Sequence, residues 1–238
     1  MSDRYVPALG FRFLTPLYDA VLRVTTRERT FKQALLDQAG LVSGQDVLDL
    51  ACGTGTLTMW AKQRAPGLRL TGLDGDPEML ARARAKSRSA GMEIAFDEGL
   101  STTLPYEDRR FDRVLSSLFF HHLDRDSKQR SLGQAFRVLK PGGELHVADW
   151  GRAANPLMRA AFLSIQLLDG FGNTADNVQG LLPEFMRAAG FAEVAEAQRF
   201  STMWGTLSLY RAVRPDDGLN GGSRSHARRP ASTPGPVA

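Results

Sequence analysis

The chain has 238 residues, of which 42% are hydrophobic, and its formal net charge is +4. This length supports one sizeable hydrophobic core and favours a single domain over two. The small positive charge lies partly in Arg224, Arg228 and Arg229, within a C-terminal stretch that has almost no apolar residues. The composition therefore does not indicate a nucleic-acid-binding protein.

One cysteine, Cys52, is present, so an internal disulfide is excluded. It lies in a glycine-rich stretch rather than among spaced Cys and His residues, which predicts a cytoplasmic protein without a structural metal. The N-terminus lacks an apolar run after a basic start, and the later apolar run Leu157–Leu168 is short and contains Arg159. We therefore expect neither a signal peptide nor a membrane span.

The first part of the chain predicts helices. Apolar residues recur three and four positions apart from Phe13 to Ala39, which favours two helices, the second ended by Gly40. We expect residues 1–40 to form an N-terminal helical extension.

From residue 41 onwards, strand-like and helix-like segments alternate. Five short apolar runs predict strands: Asp46–Leu50, Arg69–Leu73, Glu93–Phe96, Arg113–Leu118 and Glu144–Ala148. Helical spacing predicts helices at Leu57–Arg64, Pro77–Ser89, Lys128–Leu139, Asn155–Asp169 and Pro183–Ala189. The runs Phe191–Phe200 and Met203–Val213 have the pattern of a hairpin.

This order predicts an α/β fold. We expect a Rossmann-like, doubly wound and mostly parallel seven-stranded sheet with an antiparallel edge hairpin, spanning residues 41–214. Residues 155–182 are predicted to be a helical cap insertion. Residues 215–238, which are rich in Gly, Ser, Pro, Ala and Arg, are predicted to be a disordered tail.

The segment 47–57, VLDLACGTGTL, is the most informative part of the sequence. A buried strand runs into a tight turn and then into a helix, and Gly53 and Gly55 let the backbone approach a ligand closely. Free N–H groups at the start of the helix favour a polar or anionic ligand. A dinucleotide-binding turn would have a third glycine at Thr58. Asp74 ends the second strand, where a carboxylate can accept both hydroxyls of a ribose.

Together with LTGLDGDPEML, GLSTTLPYEDRRFDRVLSSL, HHL and QAFRVLKPGGELHVADW, this segment resembles class I S-adenosylmethionine-dependent methyltransferases. The resemblance is to the type 11 branch that includes ubiquinone/menaquinone C-methyltransferases, and it covers roughly residues 46–150. It implies S-adenosylmethionine as cofactor and a small-molecule methyl acceptor, such as a quinone precursor, a lipid or a secondary metabolite.

The resemblance also implies roles for individual residues. Those implied to surround the cofactor are Asp49, Gly53, Thr54, Gly55, Asp74, Leu100, Ser101 and Ser117. Asp49 would lie near the ammonium group of the methionine part, and Asp74 would hold the ribose. Leu100 stands where the family often has an acid, so only backbone N–H groups of Leu100 and Ser101 are left to contact the adenine. Ala51 replaces a glycine of the family's turn.

Candidate residues for the acceptor side are fewer. His121 and His122 follow the fourth strand and are candidate general bases, or else they cap the next helix or pack on the sheet. Tyr18 resembles a family position near the substrate mouth, and Trp150 either stacks on an aromatic acceptor or packs beneath the helix at 155–169.

Three other functions are weighed against a catalytic methyltransferase. A cofactor-binding accessory protein without turnover is the main alternative. An NAD-dependent oxidoreductase is disfavoured by Thr58. A nucleic-acid methyltransferase is disfavoured because no base-clamping Asn-Pro-Pro-Tyr motif or catalytic Pro-Cys pair is found.

Overall fold

Seven strands form one sheet in the order β3-β2-β1-β4-β5-β7-β6 in the computed structural model, which describes residues 27–216. Strands β1 to β5 are parallel, whereas β7 pairs antiparallel with both β5 and β6. The predicted doubly wound α/β fold with an antiparallel edge hairpin is therefore confirmed. The first predicted N-terminal helix, Tyr18 and the tail from residue 217 lie outside the described residues.

The elements are as follows in chain order. The strands are β1 Asp46–Leu50, β2 Arg69–Asp74, β3 Ala95–Glu98, β4 Phe111–Ser117, β5 Leu139–Trp150, β6 Ala192–Thr202 and β7 Gly205–Val213. The helices are α1 Glu28–Ala39, α2 Thr56–Arg64, α3 Pro77–Ser89, α4 Arg125–Val138, α5 Pro156–Asp169, α6 Phe171–Gln179 and α7 Leu182–Ala188. A short 3-10 turn, Phe120–His122, lies between β4 and α4.

Local signals placed several helix ends correctly. Gly40 ends α1 in the left-handed region, with φ 54°. The Asp76 side chain accepts hydrogen bonds from the N–H groups of Glu78 and Met79, and Pro77 fills the first turn of α3. Asn155 caps α5 by accepting from the N–H of Met158 at 2.9 Å.

The structure differs from the prediction most at β5 and α6. Strand β5 begins at Leu139 rather than Glu144, and the residues between them form an irregularity opposite β4. Gly142, with φ 71°, permits this irregularity, which the sequence indicated only as a turn. Helix α6 was not predicted, because its sequence FGNTADNVQ has few apolar residues at helical spacing.

Hydrophobic residues pack on both faces of the sheet. On one face, α4 and α7 pack on β1, β4 and β5 through residues such as Leu132, Met186 and Leu48. On the other face, α1, α2 and α5 cover the sheet through a second cluster that includes Phe31 and Phe162. Among residues 27–216, no helix is long and apolar enough to cross a membrane.

Buried polar contacts attach α6 to the rest of the protein. The Lys128 ammonium on α4 is fully buried and donates to the carbonyl oxygen of Asn173 at 2.5 Å, with the Asp176 carboxylate 3.4 Å away. Burial lowers the pKa of Lys128, and Asp176 opposes this effect. The side-chain amides of Asn173 and Asn177 donate to the carbonyl oxygens of His122 and Trp150. Helix α6 is thereby fixed against the ends of β4 and β5.

Candidate functional site

The candidate residues meet at one edge of the sheet. Because β1 to β5 are parallel, their carboxyl ends lie at the same edge, which is where α/β sheets bind ligands. Asp49, Asp74 and Ser117 lie at or beside the ends of β1, β2 and β4. Leu100 follows β3, and the 3-10 turn with His121 follows β4. The topology therefore places five candidate residues from separate parts of the chain along one edge of the sheet.

The turn after β1 is built from left-handed backbone. Gly53 and Gly55 have φ values of 55° and 73°, and Gly55 begins α2. A Cβ at Gly55 would lie 3.1 Å from the side chain of Ala83, whereas a Cβ at Gly53 would meet nothing within 4 Å. The space beside Gly53 is thus left open by the protein.

Ala51, at the position where the resemblance implies a glycine, also lies in the left-handed region, with φ 58°. A residue with a Cβ costs roughly 1 kcal/mol more than glycine in this conformation. The turn therefore keeps the backbone path of a glycine although its first small residue is alanine.

Asp74 is held by the backbone around the turn. One carboxylate oxygen accepts from the N–H of Gly53 at 2.7 Å and the other accepts from the N–H of Asp76 at 2.9 Å. The backbone N–H of Gly75 also interacts with this carboxylate, whose two oxygens keep further capacity to accept hydrogen bonds. Burial raises the pKa of Asp74, while these backbone N–H groups oppose the rise. The carboxylate is fixed in position and ties the turn to the end of β2.

Asp49 and Thr58 form a buried pair that the sequence did not reveal. Only 1% of Asp49 is exposed, and its carboxylate accepts from the Thr58 hydroxyl at 2.5 Å. Burial raises the pKa of Asp49 to about 6. A cation placed beside this carboxylate would stabilise its charged form. Thr58, considered from the sequence only as a missing glycine, is the partner of Asp49.

The remaining predicted cofactor residues have different surroundings. The Thr54 hydroxyl accepts from the Lys86 ammonium at 2.8 Å. The Ser101 hydroxyl is buried and lies 2.7 Å from that of Ser131. Ser117 is half-buried at the end of β4. The side chain of Ser101 is therefore engaged with α4, so its backbone is the part left for ligand contacts.

His121 is held by Asp149, a carboxylate with no exposed surface. One oxygen of Asp149 lies 2.7 Å from Nδ1 of His121 and 2.7 Å from the N–H of Trp150. The other oxygen accepts from the N–H groups of Phe119 and Phe120 at 3.1 and 2.7 Å. Burial raises the pKa of Asp149, but His121 and the N–H donors outweigh it, so the pKa lies below its usual range.

The hydrogen bond between Asp149 and His121 determines which nitrogen of the imidazole ring is basic. A charged Asp149 accepts the Nδ1 proton, which leaves Nε2 of His121 as the basic nitrogen. Sequence spacing could not reveal this pair, because 28 positions separate the two residues. The signal in the sequence was the position of Asp149, an acid that follows the predicted fifth strand at the carboxyl edge of the sheet.

His122 and Trp150, the neighbours of His121, differ from it in their surroundings. The His122 ring lies 3.9 Å from that of His121, and burial lowers the pKa of His122 to about 3. His122 is thus a weak base at neutral pH. Trp150 is only 2% exposed and its ring lies 5.5 Å from that of Phe162 on α5. This position corresponds to packing beneath α5, the second of the two roles considered for Trp150.

Two other features do not contribute chemistry. Cys52 is buried, and burial raises the pKa of its thiol, which agrees with a structural role. Among the described residues, no group of three or more His, Cys, Asp or Glu could hold a metal ion.

An open groove of about 650 Å³ lies at the opposite edge of the sheet, the amino edge, near the starts of β2 and β3. Two of its arginines are engaged, Arg69 with Asp46 and Arg84 with the carbonyl oxygen of Phe96. None of the candidate site residues lines it.

The parallel strands carry a glycine turn after β1, an acid at the end of β2, and a buried pair formed by His121 after β4 and Asp149 near the end of β5. This arrangement defines an α/β fold of the class that binds nucleoside cofactors. A sequence-family profile described as a methyltransferase domain matches residues 47–143. The ubiquinone/menaquinone biosynthesis C-methyltransferase of Bordetella avium is 31% identical over 204 residues, covering 78% of this chain and 78% of that protein. The chain belongs to the S-adenosylmethionine-dependent methyltransferase family that includes these C-methyltransferases.

Other similar proteins are matched over a smaller share of their own length. The demethylmenaquinone methyltransferase of Thermus thermophilus is 35% identical over 142 residues, which is 59% of this chain and 64% of that protein. The chain thus spans less than two thirds of the length of this relative. The phosphoethanolamine N-methyltransferase 2 of Haemonchus contortus, solved with S-adenosyl-L-methionine, has a TM-score of 0.64 at 18% identity, covering 79% of this chain and 53% of that chain. This last similarity shows the fold.

The residues present fit the cofactor of this family. The carboxylate oxygens of Asp74 keep capacity to accept from ribose hydroxyls, and the open side of Gly53 leaves room beside the turn. The buried carboxylate of Asp49 matches an ammonium group, because a cation would relieve the burial of its charge.

Proposed function

We propose that this protein transfers a methyl group from S-adenosylmethionine to a small-molecule acceptor. The observation that carries the proposal is the placement of the Asp149–His121 pair at the same sheet edge as Asp49, Asp74 and the glycine turn. A cofactor site and a positioned base at one edge are what an acid–base-assisted group transfer needs.

In this proposal the turn and its two acids bind the cofactor. Asp74 accepts the ribose hydroxyls, and Asp49 pairs with the ammonium group. The backbone at Gly53, Thr54 and Gly55 surrounds the methionine part. When bound, S-adenosylmethionine supplies an activated methyl group on a sulfonium.

His121 acts on the acceptor side. An acceptor with an acidic O–H or C–H loses its proton to Nε2 of His121 as the new bond to the methyl carbon forms, and S-adenosylhomocysteine is the second product. Asp149 keeps Nδ1 protonated and stabilises the imidazolium that results. Because only 3% of His121 is exposed, this proposal requires that the residues covering its ring shift before the acceptor reaches Nε2.

The acceptor class follows from the relatives. Those named as ubiquinone/menaquinone biosynthesis and demethylmenaquinone methyltransferases support a quinone precursor. Phe119 and Phe171, which are partly or largely exposed beside the 3-10 turn and α6, offer apolar surface for such a ring. A lipid or a secondary metabolite of similar apolar character is the next choice, and a cytoplasmic location suits either.

The first experiment is isothermal titration with S-adenosylmethionine, S-adenosylhomocysteine and NAD⁺, followed by a turnover assay. The assay supplies S-adenosylmethionine labelled in its methyl group and a reduced demethylmenaquinone with a short side chain, and it measures S-adenosylhomocysteine and labelled quinone. The His121→Gln variant is the matched control for acceptor chemistry.

Binding of the two sulfur nucleosides without NAD⁺, together with label transfer by the wild type, supports the proposal. Binding without transfer to any acceptor of a quinone, lipid and phenol panel would favour an accessory role. Binding of NAD⁺ alone would refute the cofactor assignment.

A further inference from the structure

The groove at the amino edge of the sheet combines apolar and basic residues. Its apolar lining includes Phe96 and Phe111, two buried rings near the starts of β3 and β4. At about 650 Å³ it has the size of sites that hold small molecules. Five cations and two acids line it, namely Lys62, Arg69, Arg84, Arg88, Arg110, Asp46 and Glu93.

One of the two acids is already neutralised. Arg69 donates to both carboxylate oxygens of Asp46, at 2.6 and 2.8 Å. Lys140 also donates to Asp46, at 3.2 Å. Asp46 therefore compensates none of the other four cations of the groove, and Arg69 adds no net charge to it.

Two of these four cations are held by uncharged groups. The Lys62 ammonium donates to the carbonyl oxygen of Leu68 at 2.7 Å. The Arg84 guanidinium donates to the carbonyl oxygen of Phe96 at 2.6 Å. A carbonyl oxygen orients a cation without cancelling its charge, and each cation keeps further N–H groups to donate.

The other two cations, Arg110 and Arg88, are exposed. The guanidinium of Arg110 lies 4.8 Å from the ring centroid of Tyr106 and 5.0 Å from that of Phe111. Stacking on two rings holds this side chain in place while its N–H groups stay available. Within residues 27–216, no carboxylate forms an ion pair with Arg88, Arg110, Lys62 or Arg84.

The groove remains positive when the nearby helix ends are included. Lys62 lies in the last turn of α2 and Arg88 in the last turn of α3, and each helix end carries roughly half a negative charge. Glu93 is exposed and adds one negative charge. Set against the four unpaired cations, these charges leave an excess of roughly two positive charges.

We propose that this groove binds a phosphate-bearing ligand whose carbon portion lies on the apolar lining. A phosphate monoester carries about −1.5 to −2 charges at neutral pH, which matches the excess in the groove. Arg84 and Arg88 are four residues apart on α3, so they are neighbours on one face of the helix. Guanidinium groups match the geometry of phosphate oxygens, with two parallel hydrogen bonds each.

Two sources supply this chemistry, a soluble organic phosphate and a phospholipid headgroup. A nucleic acid fits less well, because it needs a basic track several nucleotides long rather than one groove of this volume. The inference does not depend on methyl transfer, because the groove lies at the opposite edge of the sheet from Asp74 and His121.

The first test is isothermal titration of the full chain with inorganic phosphate, phenyl phosphate and phenol. S-adenosylhomocysteine is present throughout, so that phosphate does not occupy the helix start beside Gly53. We expect phenyl phosphate to bind more tightly than inorganic phosphate, because its ring covers apolar lining, and phenol not to bind. Binding should weaken as the salt concentration rises.

Variants with equal changes in net charge show where the phosphate binds. Arg88→Gln with Arg110→Gln should weaken phenyl phosphate binding at least about tenfold. Arg82→Gln with Arg187→Gln is the matched control, since both arginines are exposed and neither lines the groove, and it should change affinity less than about twofold. Glu93→Gln removes the unpaired acid and should tighten binding severalfold.

A thiol placed in the groove gives a second readout that leaves every charge unchanged. Ala95 is exposed and lines the groove, whereas Gln198 is exposed on β6, at the other end of the sheet. Saturating phenyl phosphate should slow the reaction of Ala95→Cys with a maleimide and leave that of Gln198→Cys unchanged. The slow reaction of buried Cys52 in the wild type is subtracted.

Vesicles of phosphatidylcholine with and without phosphatidic acid distinguish the two sources. Binding that needs phosphatidic acid and is lost in Arg88→Gln with Arg110→Gln identifies a lipid headgroup, whereas binding of phenyl phosphate alone identifies a soluble ligand. Either result supports the proposal.

Three results would overturn it. One is the absence of binding to phenyl phosphate up to about 1 mM and to the vesicles. Another is an equal loss in the two double arginine variants, which would show a general attraction of anions to the surface. The third is protection of Ala95→Cys by a single-stranded oligonucleotide but not by phenyl phosphate or phosphatidic acid, which would identify a nucleic acid as the ligand.

Discussion

Replacing Asp49 with asparagine should change how the stability of the protein depends on pH. Asp49 is 1% exposed, and burial raises its pKa from 3.8 to about 6. Between these two pH values the folded protein binds more protons at this position than the unfolded chain does. The free energy of unfolding contributed by Asp49 is therefore fully present below pH 3.8, falls as the pH rises through 6, and stays low above it.

The size of this change in the free energy of unfolding follows from the pKa shift of Asp49. At about 1.4 kcal/mol per pH unit, the wild type should lose about 2.5 kcal/mol at this group between about pH 4 and pH 7. The asparagine introduced by Asp49→Asn cannot titrate, but its side-chain oxygen can still accept from the Thr58 hydroxyl. The free energy of unfolding of the Asp49→Asn variant, relative to wild type, should rise by about 2.5 kcal/mol over that range.

Urea unfolding of both proteins in steps from about pH 4 to pH 7.5 measures this difference, and any constant cost of burying the amide cancels. The exposed Asp126→Asn change is the control and should run parallel to wild type. A difference between Asp49→Asn and wild type that does not change with pH would refute the reasoning. The affinity of the wild type for S-adenosylmethionine should fall as the pH drops below 6, and that of the variant should be weak and flat.

Three further predictions concern other groups. Asp74→Ala should weaken S-adenosylmethionine binding by roughly 10²-fold in calorimetry, because it removes charged acceptors for the ribose; unchanged affinity would disprove that role. Ala51→Gly should raise the free energy of unfolding by about 1 kcal/mol in urea, because it relieves a left-handed alanine, and a loss of stability would contradict this. His121→Gln should slow turnover by roughly 10²-fold or more, with little change in cofactor affinity. The matched change His122→Gln should have a much smaller effect on turnover, and equal losses would remove the distinction between the two histidines.

The elements that the sequence predicted correctly depend on local signals. Gly40, the pair Asp76-Pro77 and Asn155 end or begin helices through contacts within a few residues of themselves. The turn with Gly53 is similarly local, because a left-handed backbone excludes most side chains whatever lies around it. Because these constraints are short-range, the sequence indicates where strands and helices alternate. That alternation in turn predicts a mostly parallel sheet.

The tertiary structure alone decided the chemistry of the carboxyl edge. His121 acquires its partner Asp149 because β4 and β5 are neighbours in the sheet, and Asp49 acquires Thr58 through the turn into α2. Lys128 is stable in the interior only because α6, a helix without a clear sequence pattern, brings Asp176 to it. Hydrogen bonds and burial act between groups that are close in space, so residue types and spacing predicted which side chains reach the edge, and packing determined which of them pair and how their pKa values shift.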